Sequence, residues 1–155
     1  MDTQKEANNV VNWVKEYVLS SGAKGVVVGN SGGKDSACVI AIAAKALGSE
    51  NVIAVAIPIN SKASDMEDVK LVADTFKVKT LTVDLTECYN SMQREINKEL
   101  CNCGHTKTSN EARVNMKPRL RMTTLYSIAQ TMGYLVMGTG NLCERTVRVH
   151  NKMGG

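Results

Sequence analysis

Two stretches, "GVVVG" at residues 25–29 and "NVIAVAIPI" at 51–59, are apolar without alternation. A strand that is apolar on both sides has to be covered on both sides, and a parallel sheet with helices on each face does this. The intervening chain supplies those helices. Residues 4–19 place Val10, Val11, Val14, Tyr17 and Val18 at helical spacing, and "DSACVIAIAAKALG" (35–48) is helical up to Gly48. "SDMEDVKLVADTF" (64–76) opens with Ser64 three residues before Glu67, the spacing of a capping box. "VKTLTVDL" (78–85) reads as a third strand and "YLVMG" (134–138) as a fourth. Helices are expected over 86–100 and from Glu111 through "LRMTTLYSIAQTM", disturbed at Pro118. Residues 101–110, "CNCGHTKTSN", read as a polar loop with the least order in the chain. The fold class is therefore α/β: one domain over 1–155, an open parallel sheet with helices on both faces. Ligands of such sheets sit at the carboxyl ends of the strands. The turn after "GVVV", residues 57–61, Asp84 and "GTGN" (138–141) all fall at that end.

Composition narrows the ligand. The net charge of +4 and the 4% aromatic content do not support a surface that stacks nucleic-acid bases, but they suit a binder of small polyanions. No apolar run approaches membrane-spanning length. The N-terminus, "MDTQKEANN", is polar where a secretion signal would be basic and then apolar. Five cysteines at irregular spacing read as reduced thiols, and the expected location is the cytoplasm.

The turn itself is "GNSGGKDSAC", residues 29–38. A Walker A loop ending on Gly33-Lys34 would need glycine where Val28 stands and a hydroxyl where Asp35 stands. The dinucleotide fingerprint fails because Ser31 occupies the place of its second glycine. Ser31-Gly32-Gly33-Lys34-Asp35-Ser36 instead matches S-G-G-x-D-S throughout. Two glycines allow a sharp turn that brings bare N–H groups against an anion, and the helix that follows adds its positive end. Ser31 and Ser36 offer hydroxyl donors. Phosphate alone would repel Asp35, so a bridging Mg²⁺ is expected there. The nucleotide-binding stretch is Gly29, Asn30, Ser31, Gly32, Gly33, Lys34, Asp35 and Ser36.

On this motif the chain resembles the ATP-pyrophosphatase, or PP-loop, family, which implies a Rossmann-like fold of the adenine nucleotide alpha hydrolase type. "GVVVGNSGGKDSA", "VIAVAIPINSKASDMEDV" and "KPRLRMTTLYSIAQTMGYLVMGTGNLCE" (117–144) further resemble ammonia-dependent NAD synthetase. That resemblance covers nearly the whole chain except its last ten residues, where "RVHNKMGG" departs from the family pattern. It implies conversion of deamido-NAD, ATP and ammonia into NAD, AMP and pyrophosphate through an adenylated carboxylate. It implies Asp35 and Glu144 as Mg²⁺ ligands, Thr139 as an ATP contact, and Arg119 and Lys152 as deamido-NAD contacts. It also implies a homodimer, and it places this chain on the N-terminal portion of the family's domain with the C-terminal segment absent. Other PP-loop ligases or tRNA-modifying enzymes, and a nucleotide-binding remnant without turnover, stay open at this point. Cys88, Cys101, Cys103 and His105 offer zinc donors, but C-x-C-x-H lies outside the usual zinc spacings, and in the resembled family this stretch is a mobile loop.

Overall fold

A computed structural model describes residues 3–138. Its strands are β1 (Val26–Gly29), β2 (Val52–Ala56), β3 (Lys79–Thr82) and β4 (Leu135–Met137), all parallel, in the order β3-β2-β1-β4. The helices are α1 (Thr3–Ser20), α2 (Lys34–Leu47), α3 (Ala63–Phe76), α4 (Thr86–Asn102) and α5 (Asn110–Met132).

The unbroken apolarity of β1 and β2 is consumed by two cores. Val26, Val28, Val52 and Ala54 pack on one face with Val14 and Val18 of α1, Ile40 and Ala43 of α2, and Val72 and Ala73 of α3. Val27, Ile53 and Val55 pack on the other with Leu125, Ile128 and Ala129 of α5. Successive strand residues point to opposite faces, so each valine of β1 serves the core on its own side. α4 stands outside this layer against α5, where the buried Tyr89 donates its hydroxyl to the Arg113 carbonyl (3.1 Å).

The chain runs β1 to β2 to β3 in one direction, then returns past β1 to form β4 on its far side. The direction of winding thus reverses between β1 and β4. At such a switch point the loops leave in opposite directions and open a crevice over the strand ends. The glycine turn leaves β1 on one side of it.

Several local expectations change. In α1 the core stripe is Val11, Val14 and Val18, while Val10 and Tyr17 flank it and are exposed. Tyr17 stacks on Trp13 on the outer surface, with ring centroids 5.4 Å apart. The cap of α3 lies two residues earlier than Ser64–Glu67. Lys62 holds the N-cap position, and its N–H donates to Asp65 Oδ2 at 3.1 Å. A lysine side chain has no acceptor, so only the acidic half of a capping box forms. Pro118 does not interrupt α5. The amide it lacks leaves the Val114 carbonyl without its helical donor, and Val114 is exposed, where water can serve. The polar stretch after α4 is tied down: Thr108 N donates to Asn97 Oδ1 (2.8 Å), and its hydroxyl lies 2.8 Å from Gln93 Oε1 and 2.9 Å from Asn97 Oδ1.

Candidate nucleotide site

β1 ends on Gly29, whose missing side chain leaves room for Leu125 of α5; a Cβ there would lie 3.4 Å from Leu125 Cδ1. The next residue, Asn30, is buried, and its main-chain N–H and both ends of its side-chain amide are engaged. Its N–H donates to the Val55 carbonyl (2.8 Å), its Nδ2 donates to the Val69 carbonyl (3.0 Å), and its Oδ1 accepts from Gly32 N (3.1 Å). Asn30 therefore clamps the turn to β2 and to α3. Gly32 has φ +76°, and a Cβ would come within 2.7 Å of Asp68 Cβ, so glycine is required there twice over.

The serines also work inward. Ser36 is buried; its hydroxyl donates to the Gly33 carbonyl (2.9 Å) and accepts from Ser31 N (3.3 Å), and the two hydroxyl oxygens lie 3.1 Å apart. Ser31 Oγ in turn accepts from Gly33 N (3.3 Å). The Ser36 proton is committed to the Gly33 carbonyl, so the contact between the two hydroxyls directs the Ser31 proton onto Ser36 Oγ, although Ser31 itself is exposed.

What the turn leaves uncommitted is at its rim. Gly33 is the N-cap of α2 and has no side chain to accept from the helix, so the first-turn amides of Lys34, Asp35 and Ser36 have no side-chain cap. Lys34 and Asp35 are exposed, and neither side chain bonds to another described residue. A helix start without a side-chain cap, with an uncommitted lysine and carboxylate beside it, offers donors for an anion and an acceptor for a cation. Mg²⁺ keeps most of its waters and takes one or two carboxylates plus phosphate oxygens, and an uncommitted Asp35 fits that donor set. Among the described residues no three His, Cys, Asp or Glu side chains gather as a metal cluster. That includes Cys101, Cys103 and His105, which are exposed.

The other walls of the crevice come from β2, β3 and α5. Residues 56–60 and 83–86 are laced together: Val83 N donates to Ala56 O (2.9 Å), Leu85 N to Pro58 O (3.0 Å), and Asn60 N to Thr86 Oγ1 (3.0 Å). Asp84 accepts from Thr86 N (2.8 Å), and hydrogen bonds from the Thr86 side chain and backbone hold its carboxyl below the usual aspartate range. Asp84 therefore serves as a cap for α4. Arg119 is exposed. Arg121, two residues on, lies on the opposite side of the helix; it is half-buried and its Nε donates to the Ile57 carbonyl at 3.1 Å. Thr139, Glu144 and Lys152 lie outside the described residues.

Sequence reasoning missed two neighbours. Asp68 meets Gly32 only because α3 folds back across the turn, and nothing local signals it. Arg121 carried a signal: it continues the stripe of Leu125, Ile128 and Met132, the side of α5 that faces the sheet.

Residues 6–154 match the family model described as NAD synthase. An NH3-dependent NAD(+) synthetase of Alkaliphilus oremlandii (strain OhILAs) is 38% identical over 156 aligned residues, covering 97% of this chain and 61% of that protein. The fold is similar to an NH3-dependent NAD synthetase from Campylobacter jejuni solved with nitrate: TM-score 0.84, 27% identity, 97% of this chain and 62% of that one. It is also similar to a glutamine-dependent NAD+ synthetase from Acinetobacter baumannii solved with adenosine diphosphate: TM-score 0.85, 30% identity, 95% of this chain and 27% of that one. The chain spans 61% of the length of its Alkaliphilus relative. With the glycine turn at the switch point and a family match that runs almost end to end, the chain belongs to the NAD synthase family.

Proposed function

We propose that this chain supplies the nucleotide half of an ATP-dependent amidation in which deamido-NAD and ammonia become NAD, with AMP and pyrophosphate released. The observation that carries it is the rim of the glycine turn. Asn30 and Ser36 spend their polar groups on holding the bend, which leaves the first-turn amides of α2, Lys34 and Asp35 for the triphosphate. The adenosine diphosphate held by the Acinetobacter relative supports a nucleotide as ligand.

The chemistry is activation of a poor acyl donor. An oxygen of the nicotinate carboxylate attacks the α-phosphorus, the bond from that phosphorus to the bridging oxygen breaks, and pyrophosphate leaves. Ammonia then attacks the acyl carbon, loses a proton, and expels AMP. The amides at the start of α2 and the Lys34 ammonium stabilise charge that grows on the departing phosphates. The exposed Ser31 hydroxyl would turn from Ser36 to donate to them, and Thr139 is assigned a further ATP contact. Asp35, with Glu144, would hold Mg²⁺, which neutralises charge on the pyrophosphate when bound. Arg119 and Lys152 are assigned to deamido-NAD. Arg119 is exposed on the side of α5 opposite Arg121, open to a ligand, and we assign the protein as a homodimer.

No described helix is long and apolar enough to cross a membrane. Cys38, Cys88, Cys101 and Cys103 are free and exposed, as suits a reducing compartment, and we assign the protein to the cytoplasm.

Release of AMP from ATP, with deamido-NAD and ammonia present, tests the reading. Wild-type protein should form AMP dependent on both co-substrates, and Asp35→Ala should reduce it by about 100-fold or more. ATP binding without AMP formation would identify a nucleotide-binding remnant. Adenylation stimulated by tRNA, with no response to deamido-NAD, would contradict the substrate.

A further inference from the structure

Arg121 is a half-buried cation with no carboxylate partner among the described residues. Its Nε is occupied by the Ile57 carbonyl, so the guanidinium is pinned beside the exit of β2, and the two terminal nitrogens bond to no described residue. A cation taken partly out of water and given one carbonyl is under-compensated. Burial accordingly holds its pKa below the usual arginine value.

The position gives the missing partner a direction. Arg121 lies one helical turn before Leu125, and Leu125 covers Gly29 at the start of the glycine turn. Ile57 follows the end of β2, the strand next to β1, and β2 receives the Asn30 amide at Val55. Neighbouring strands lie about 4.8 Å apart, so the guanidinium borders the crevice close to the turn. It does so from the α5 face, whereas α2 approaches from the other.

We infer that Arg121 is a further binding residue of this site, its terminal N–H groups taking an anionic phosphate oxygen of the bound nucleotide. The inference rests on the nucleotide reading of the turn and adds a second anion contact from the opposite side of the sheet. Holding Nε on a main-chain carbonyl fixes the plane of the fork before ligand arrives, which reduces the ordering cost of binding.

The test compares Mg²⁺-ATP with adenosine by calorimetry, for wild type, Arg121→Gln and Arg121→Lys, with melting curves as a check on folding. Arg121→Gln should weaken ATP by about 10- to 100-fold, the range of one charge-assisted contact, while adenosine changes less than about two-fold. Arg121→Lys should weaken ATP by an intermediate factor, since one ammonium cannot both hold the Ile57 carbonyl and reach the anion. Equal loss of ATP and adenosine would make Arg121 a purely structural strut and overturn the inference, as would unchanged ATP affinity in Arg121→Gln. If Arg121→Gln does not fold, wild-type ATP affinity in Arg121→Lys would overturn it instead. Failure of the wild-type protein to bind ATP would remove the underlying reading and this inference with it; wild-type binding with unaffected variants would remove this inference alone.

Discussion

The turn at 29–36 and the loop at 103–109 are both short, polar and built on a glycine of positive φ, but they spend their polar groups differently. In the turn, Asn30, Ser31 and Ser36 satisfy one another and the main chain, while Lys34, Asp35 and the first amides of α2 face outward with nothing to bind. In the loop, Thr108 closes on Asn97 and Gln93 of α4, and what remains outside is one thiol, one imidazole and the Lys107 ammonium, with no carboxylate and no uncapped helix start among them. A ligand site needs a scaffold that is internally satisfied and a rim that is not. The turn has both, with amides, a cation and a carboxylate converging at one helix start; the loop's outward groups converge on nothing.

Glycine substitutions separate the two most sharply. Gly32→Ala combines a left-handed φ with a Cβ pressed against Asp68, and should cost about 2–5 kcal/mol in urea unfolding and abolish nucleotide binding. Gly104 has φ +77° but open space around its missing Cβ, so Gly104→Ala should cost only about 1 kcal/mol and leave nucleotide binding intact. Equal costs would mean that the Asp68 contact carries no weight.

Next in size are the clamps. Asn30→Ala leaves the part-buried Gly32 amide without its acceptor and removes the tie to the Val69 carbonyl, which keeps its own helical donor in α3, a loss of about 1–3 kcal/mol, and it should weaken ATP as the turn loosens. Thr108→Val leaves Gln93 and Asn97 short of a donor at a part-buried site and should cost about 1 kcal/mol with no effect on ATP. A ligand effect from Thr108→Val would erase the distinction between the regions.

The smallest effect is a pH dependence. The folded-state pKa of Asp84 is lowered from 3.8, so its ionised form contributes stability above the unfolded value, and this is lost as pH falls through the folded value. Wild type should therefore lose stability below about pH 4 slightly faster than Asp84→Asn, seen as converging melting temperatures in acid. Parallel curves would show that the Thr86 cap does not distinguish the two protonation states.

How much of this could be read from the sequence depends on how local the cause is. The valines of β1 and β2 declare a doubly covered sheet because their apolarity is unbroken, and the turn declares itself because Gly32 and Gly33 stand between a strand and a helix. The inward role of Ser36 was not legible, since the same hydroxyl could serve phosphate or the Gly33 carbonyl and only the turn's path decides. Val10 and Tyr17 sit at the margin of the α1 stripe, where spacing cannot distinguish core from rim. Contacts such as Gly32 with Asp68 arise from how α3 returns across the turn, which no local pattern encodes.

The phosphate-binding role of the turn is most directly tested by amide chemical shifts during an ATP titration with Mg²⁺. The largest shifts should fall on Ser31 to Ser36, with those of Cys103 to Thr108 unmoved. ATP that binds while the amides of Lys34, Asp35 and Ser36 stay in place would contradict it.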